Sequence, residues 1–282
     1  METPLERWDD GVWLKREDVH ELGAFKWRGA LAVLERTRED TVTASTGNQG
    51  AAVAWAARRL GLRAVVFVPE RVSATKLALL LDLRAHVVRT GADFDEAKDA
   101  AVAFAHDHGL RWFEDGAEDA QLDGYAAIGR EIVAQLGTQP AAVIVPVGNG
   151  ALFAGVARGL DAGVRKVAVA AEGAPVMYES WRAGRVVESD RCETIADGLA
   201  VRVAIPRAVE WLDDAVDEFV LVSDLALQQS VTRFWKRGIR VEPSAAASLA
   251  ALPRVDERPV VLVVTGRNVD NDVFAACLAA GT

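Results

Sequence analysis

The chain has 282 residues, 51% hydrophobic and 26% charged, enough for one large or two modest domains with a sizeable core. Acidic residues outnumber basic ones 41 to 32, and a formal charge of -9 disfavours an extended nucleic-acid surface or an anionic membrane, since both call for a basic face. Cys192 and Cys277 are too far apart in sequence to suggest a disulfide framework or a thiolate metal site. No apolar run reaches the roughly 18 residues of a membrane span, and the opening residues lack a signal-peptide pattern, so a soluble cytoplasmic protein is expected.

The first informative segments are Leu14-Lys-Arg-Glu-Asp18 and Leu22-Gly-Ala-Phe-Lys-Trp-Arg-Gly-Ala30. Only six of the 32 basic residues are lysine, and one of them, Lys26, stands between Phe25 and Trp27. An amine desolvated in an apolar pocket is a nucleophile able to form a Schiff base. The same text also suits an exposed lysine that opens a helix and lays its stem along two rings.

Next comes Thr43-Ala-Ser-Thr-Gly-Asn-Gln-Gly50, ahead of a helical pattern over 50–60 with Gly61 as its C-cap. The hydroxyls of Ser45 and Thr46, the amides of Asn48 and Gln49, and Gly47 would form an anion cradle before a helix N-terminus, suited to a substrate carboxylate. A plain helix cap by Ser45 or Thr46 is the competing reading.

Strand-like runs follow over 63–69, 86–89, 142–146, 166–170 and 260–264, with a helical pattern over 94–108. Such short apolar runs suit strands buried on both faces, and their alternation with helices implies parallel α/β sheets. Ligands of such sheets bind at the carboxyl ends of the strands, which directs attention to the turns. The turn Gly148-Asn-Gly-Ala-Leu152 can hold a phosphate on its backbone amides. It also matches part of a dinucleotide fingerprint, with Glu172 as the ribose-binding acid, but Phe153 stands where the third glycine belongs. Glu242-Pro-Ser244 and Thr265-Gly-Arg-Asn-Val-Asp270 each read as a cap or a turn. The four histidines have no metal-ligand spacing, and neither a Gly-x-Ser-x-Gly elbow nor a Walker A sequence is present.

Taken in order, these segments resemble the fold type II pyridoxal-phosphate enzymes (the tryptophan synthase β superfamily), in particular the threonine and serine dehydratase and serine racemase branch. Gly23-Ala-Phe-Lys-Trp-Arg-Gly-Ala30 is similar to the family's cofactor-lysine motif. Ser45-Thr-Gly-Asn-Gln-Gly50 is similar to its carboxylate loop, and Gly148 to Leu152 to its tetraglycine phosphate loop. Thr3-Pro-Leu5, Thr194-Ile-Ala-Asp-Gly198, Glu242-Pro-Ser244 and Thr265 to Asp270 follow the family's order.

The resemblance implies two open, twisted, mainly parallel sheets flanked by helices. Residues 1–36 and 122–282 would form a large cofactor-binding domain, and 37–121 a small substrate-binding one. Lys26 would bond the cofactor covalently and later act as the base on Cα. Phe25 would pack beside the pyridine ring, Asn48 would bond its 3-hydroxyl, and Thr265 would face its nitrogen. Backbone amides of Gly148, Asn149, Gly150, Ala151 and Leu152 would hold the phosphate, while Gly198 and Glu242 fall in further cofactor-side motifs. Ser45, Thr46, Gly47, Asn48 and Gln49 would hold the substrate carboxylate. A neutral hydroxyl at Thr265 makes the ring a milder electron sink than a carboxylate there would, which favours prompt β-elimination.

Several positions depart from the family pattern. Thr46 replaces the second serine of the racemases, so its methyl crowds the face from which a proton would be returned. Gln49 replaces a usual histidine. Asn149 and Ala151 interrupt the glycines, and both side chains are expected to point away from the phosphate. No carboxylate follows Glu172 where the family's cation site needs one, so no metal is expected there. The chain ends twelve residues after Asp270, which leaves no room for the regulatory domain of biosynthetic threonine dehydratases. The expected activity is removal of water from a β-hydroxy amino acid such as threonine or serine, giving a 2-oxo acid and ammonia, in a homodimer. The alternatives are racemisation or β-replacement with the same cofactor, a non-catalytic amino-acid binder, or an NAD-dependent protein using the Gly148 turn.

Overall fold

The computed structural model describes residues 1–45, 47–72, 74–189 and 191–281. Among them ten strands run in chain order: β1 Leu5–Asp9, β2 Val12–Arg16, β3 Thr41–Ala44, β4 Ala64–Val68, β5 His86–Arg89, β6 Arg111–Trp112, β7 Ala142–Pro146, β8 Arg165–Ala171, β9 Glu218–Val222 and β10 Val260–Val264. The chain divides into two compact units, Met1–Phe25 with Tyr125–Thr282, and Lys26–Gly124.

The larger unit carries a six-stranded sheet in the order β1-β2-β10-β7-β8-β9, parallel except for the β1–β2 hairpin. Its central strands β7 and β10 are buried along their whole length, as β-branched runs covered on both faces must be. The helix Pro243–Ala251 (Pro-Ser-Ala-Ala-Ala-Ser-Leu-Ala-Ala) is buried almost throughout and packs on β7, β8, β9 and β10. Its small side chains let the backbone lie close to the sheet, and Glu242 is its N-cap residue. Charged groups are enclosed here too: Lys15 is fully buried, donating to Glu131 Oε2 at 2.6 Å and to the Thr3 carbonyl at 2.6 Å. Truncating one partner of such a pair leaves an uncompensated buried charge. Glu131→Ala is therefore expected to lower unfolding free energy by about 3–5 kcal/mol in a denaturant titration.

The smaller unit carries a fully parallel sheet in the order β5-β4-β3-β6. The helix Phe94–Asp107 covers β3 and β4 with Ala97, Ala101 and Ala105, spaced four apart on one face. Asp93 caps that helix by accepting from the N–H groups of Asp95 and Glu96 (2.9 and 3.0 Å). On the other side the helices Trp27–Thr37 and Asn48–Leu60 pack together, with Trp27 edge-on to Trp55 at 5.9 Å. Gly61 ends the second of these in the left-handed conformation, as its position predicts.

One expectation fails. The run 86–89 is not buried on both faces, because β5 is the edge strand and leaves His86 and Arg89 exposed. Both cysteines are free thiols, and burial pushes each thiol's pKa up, away from the reactive thiolate. No helix among the described residues is long and apolar enough to cross a membrane.

Candidate active site

In the smaller unit the candidates gather at the carboxyl edge of the sheet. Lys26 is the N-cap residue of the helix Trp27–Thr37 and its carbonyl accepts from Ala30 N–H (3.1 Å). Its amine is ion-paired with Asp115, just beyond β6. Ser45 follows β3 directly, is held by a bond from its N–H to the Phe67 carbonyl (3.0 Å), and accepts from Gly47 N–H on Oγ (3.1 Å). The register pairs Val42 with Trp112, so Ser45 and Asp115, each three residues further on, leave neighbouring strands at the same level.

Gly47 is the N-cap residue of the helix Asn48–Leu60 and has no side chain with which to cap it, and N–H groups at a helix start lack intrahelical acceptors. Ser45 Oγ accepts from the N–H of the cap residue itself, and a cap by Thr46 falls on a residue outside the described ones. Gln49 is buried with neither end of its carboxamide bonded to a described residue. Leaving such a group unsatisfied costs about 1–3 kcal/mol, so a polar ligand at this loop would relieve a standing penalty. Thr46, the position on which racemisation turns, lies outside the described residues.

In the larger unit the remaining candidates form one cluster. Phe25 N–H donates to the Thr265 carbonyl (3.0 Å), and the Phe25 ring tilts against buried Tyr125 at 5.2 Å. Glu242 N–H donates to the Gly266 carbonyl (3.1 Å), which ties the start of the buried helix Pro243–Ala251 to the turn after β10. Gly198 N–H donates to Ser244 Oγ (2.9 Å), and the Gly198 carbonyl lies where a Cβ on Gly148 would be. The structure thus joins Gly148, Gly198, Glu242, Thr265 and Phe25.

The phosphate turn fits its expected load in backbone and differs in one side chain. Gly150 has φ +93° and begins the helix Ala151–Arg158, whose first intrahelical bond runs from Ala154 N–H to the Gly150 carbonyl (3.1 Å). Amides at such a start converge on an anion. Asn149, however, does not turn away. Its Oδ1 accepts from Ala151 N–H at 3.2 Å, so a phosphate taking that amide displaces this short local bond. The other expected intruder, Ala151, is buried in the helix and brings only a methyl.

Sequence reasoning passed over Asp115 and Gln121. Gln121 is fully buried; its Oε1 accepts from Gly116 N–H (2.8 Å) and its Nε2 donates to Asp115 Oδ1 (3.0 Å). The two-residue β6 leaves no apolar run, so the Asp-Gly turn behind it looks like any other turn. Only the β3–β6 register reveals it. Among the described residues no group of three or more His, Cys, Asp and Glu side chains is placed to hold a metal ion. A cavity of about 560 Å³ in the smaller unit opens at the opposite, amino edge of the sheet. It lies at the C-terminal ends of helices, where Arg58, Arg63 and Arg84 oppose the negative ends of the helix dipoles.

Three comparisons bear on these features. An L-threonine ammonia-lyase of Geobacter sulfurreducens is 32% identical over 96% of this chain and 70% of its own length. The fold matches the processed form of threonine deaminase isoform 2 from Solanum lycopersicum (TM-score 0.93, 27% identity, 99% of this chain and 88% of that one). It also matches a fungal L-serine ammonia-lyase from Rhizomucor miehei (TM-score 0.89, 26% identity, 100% and 99%). The chain spans from 45% to 71% of the length of several curated relatives that it matches. The family model for pyridoxal-phosphate dependent enzymes matches residues 2–266, a stretch that takes in Lys26, the Ser45–Gln49 loop, the Gly148 turn and Thr265. The chain belongs to the pyridoxal-phosphate-dependent enzyme family.

Proposed function

We propose that this protein is a pyridoxal-phosphate-dependent ammonia-lyase that converts a β-hydroxy amino acid, threonine or serine, to a 2-oxo acid and ammonia. The observation that carries the reading is Lys26 paired with Asp115 at the carboxyl edge of the smaller sheet, where Ser45 leaves the neighbouring strand at the same level ahead of the start of the helix Asn48–Leu60. Similarity to the Geobacter sulfurreducens L-threonine ammonia-lyase over nearly the whole chain supports it. A cytoplasmic homodimer is part of the same proposal.

The residues divide the work as follows. Lys26 attaches the cofactor and, once free, takes the Cα proton on Nζ. The N–H groups at the start of the helix Asn48–Leu60, with Ser45 Oγ and the Gln49 carboxamide, hold the substrate carboxylate. Asn48 and Thr265 bond the cofactor ring, Phe25 packs beside it, and the amides of residues 148–152 hold its phosphate, with Gly198 and Glu242 shaping that side. When bound, pyridoxal phosphate supplies an electron sink that makes the Cα proton removable. The purified protein should absorb in the visible from attached cofactor and form a 2-oxo acid from L-threonine or L-serine. A colourless protein that takes up no cofactor overturns the reading.

Thr46 separates elimination from racemisation. Returning a proton to the opposite face of Cα needs a donor there, and a threonine where the racemases carry serine would narrow the space for one. Thr46→Ala is therefore expected to keep dehydration within about tenfold of the parent, the cost of one neutral hydrogen bond. Thr46→Ser is expected to raise inversion. Chiral analysis of the residual amino acid, beside the 2-oxo acid assay, measures both. Inversion by the parent that disappears in Thr46→Ala would make this a racemase.

A further inference from the structure

We propose that Asp115 is a positioning residue for Lys26, resting on the function above: its carboxylate receives the lysine amine and fixes where it points. Three acids of one short turn are each matched to a different cation. Glu114 pairs with Lys98, Glu118 with Arg111, and Asp115 with Lys26. Asp115 is thus the carboxylate that this turn directs at the candidate lysine, and the pair is about four-fifths shielded from solvent (side-chain exposure 18% for Lys26 and 24% for Asp115).

The direction of the carboxylate is fixed from behind. Gln121 is buried, and because its Oε1 is committed to the Gly116 N–H, its Nε2 must face Asp115 Oδ1. That leaves Oδ2 for the amine of Lys26. A buried carboxamide with both ends used is a rigid support, and it sits on the helix Asp119–Leu136 rather than on the turn.

The chemical consequence concerns the moment of proton removal. As the Cα–H bond breaks, a new N–H bond forms on Nζ from the nitrogen lone pair and the nitrogen becomes cationic. The C–H electron pair stays with the substrate, forming the Cα–Cβ double bond as the β C–O bond breaks. The oxygen leaves with its bonding pair and takes the proton back from Nζ, completing water. Asp115 Oδ2 lies beside the atom where the positive charge develops, so it stabilises the step without touching the substrate. In the cofactor-free chain the same contact has the opposite effect. An amine engaged by a carboxylate is less available to attack an electrophile than one left to solvent.

The two effects predict changes of opposite sign. The full chain is stripped of cofactor with hydroxylamine, trace-labelled with acetic anhydride at one fixed pH, and read at the Lys26 peptide by mass spectrometry. Asp115→Asn should label about threefold faster than the parent, as loss of a partly exposed ion pair allows. With cofactor restored, its kcat should fall about tenfold or more while KM changes little, the loss of one charge-assisted hydrogen bond. Asp115→Glu should return labelling to the parent rate and recover part of kcat. Labelling that is unchanged or slower in Asp115→Asn, or an unchanged kcat, overturns the proposal; a merely structural role would not speed the labelling. Should Asp115→Asn not hold its fold, Asp115→Ser carries the same two measurements. Borohydride trapping on Lys26 of the parent tests the function separately. If none occurs, the ammonia-lyase reading falls while the labelling contrast still decides whether Asp115 holds the amine.

Discussion

Lys26→Ala is expected to end covalent cofactor attachment and to lower turnover by about 10⁴-fold or more, the upper range for losing a general base alone. The size of the effect follows from one nitrogen serving twice, as the attachment point and as the base on Cα. Three of the other five lysines are committed elsewhere. Lys15 is sealed in the larger unit against Glu131 and the Thr3 carbonyl. Lys98 is committed to Glu114, and Lys166 bonds the Val164 carbonyl (2.8 Å) at the far, amino end of β8. Borohydride reduction of the holoenzyme followed by peptide mapping reads the result directly. A reduced adduct on Lys76 or Lys236 in the parent would remove Lys26 from its assigned place, and with it the logic of the Asp115 contact.

What the sequence makes legible here is set by how local each signal is. The runs at 142–146 and 260–264 become strands with the expected bounds, because a short β-branched run flanked by turn residues states its own conformation. Whether such a strand is central or at an edge is a property of the sheet, and the run 86–89 shows the cost of inferring it from composition. The helix starts after Ser45 and Gly148 are legible for a similar reason: glycines and an amide ahead of a helical pattern mark such a start without reference to anything distant. Asp115 is a different case. Its partner Lys26 is 89 residues away, its support Gln121 lies within a helical pattern, and its strand is two residues long. Asn149 also escapes, because whether its carboxamide turns outward or back onto Ala151 is decided by a single local hydrogen bond competing with solvent.

Gly148→Val is expected to weaken pyridoxal phosphate binding by about 100-fold or more while leaving affinity for pyridoxal, which lacks the phosphate, close to that of the parent. A Cβ at residue 148 runs into the Gly198 carbonyl, whose own residue is bonded to Ser244 Oγ, so the loop and not its neighbour must give way. Displacing the turn misdirects the amides that follow, and each hydrogen bond to a charged group is worth about 1.5–3 kcal/mol, so losing two reaches the stated range. Gly150 offers an independent route to the same end. Its φ of +93° is one that a branched side chain resists, and a Cβ there meets Leu212 Cδ1 at 3.3 Å. Gly150→Val should therefore also lose phosphate selectivity, with a lower melting temperature than Gly148→Val because strain is added to the helix start as well as the loop. Titration of cofactor-free protein with both aldehydes separates the outcomes. Equal losses for pyridoxal and its phosphate would indicate a folding defect. Unchanged preference for the phosphate in a well-folded Gly148→Val would place the phosphate site elsewhere.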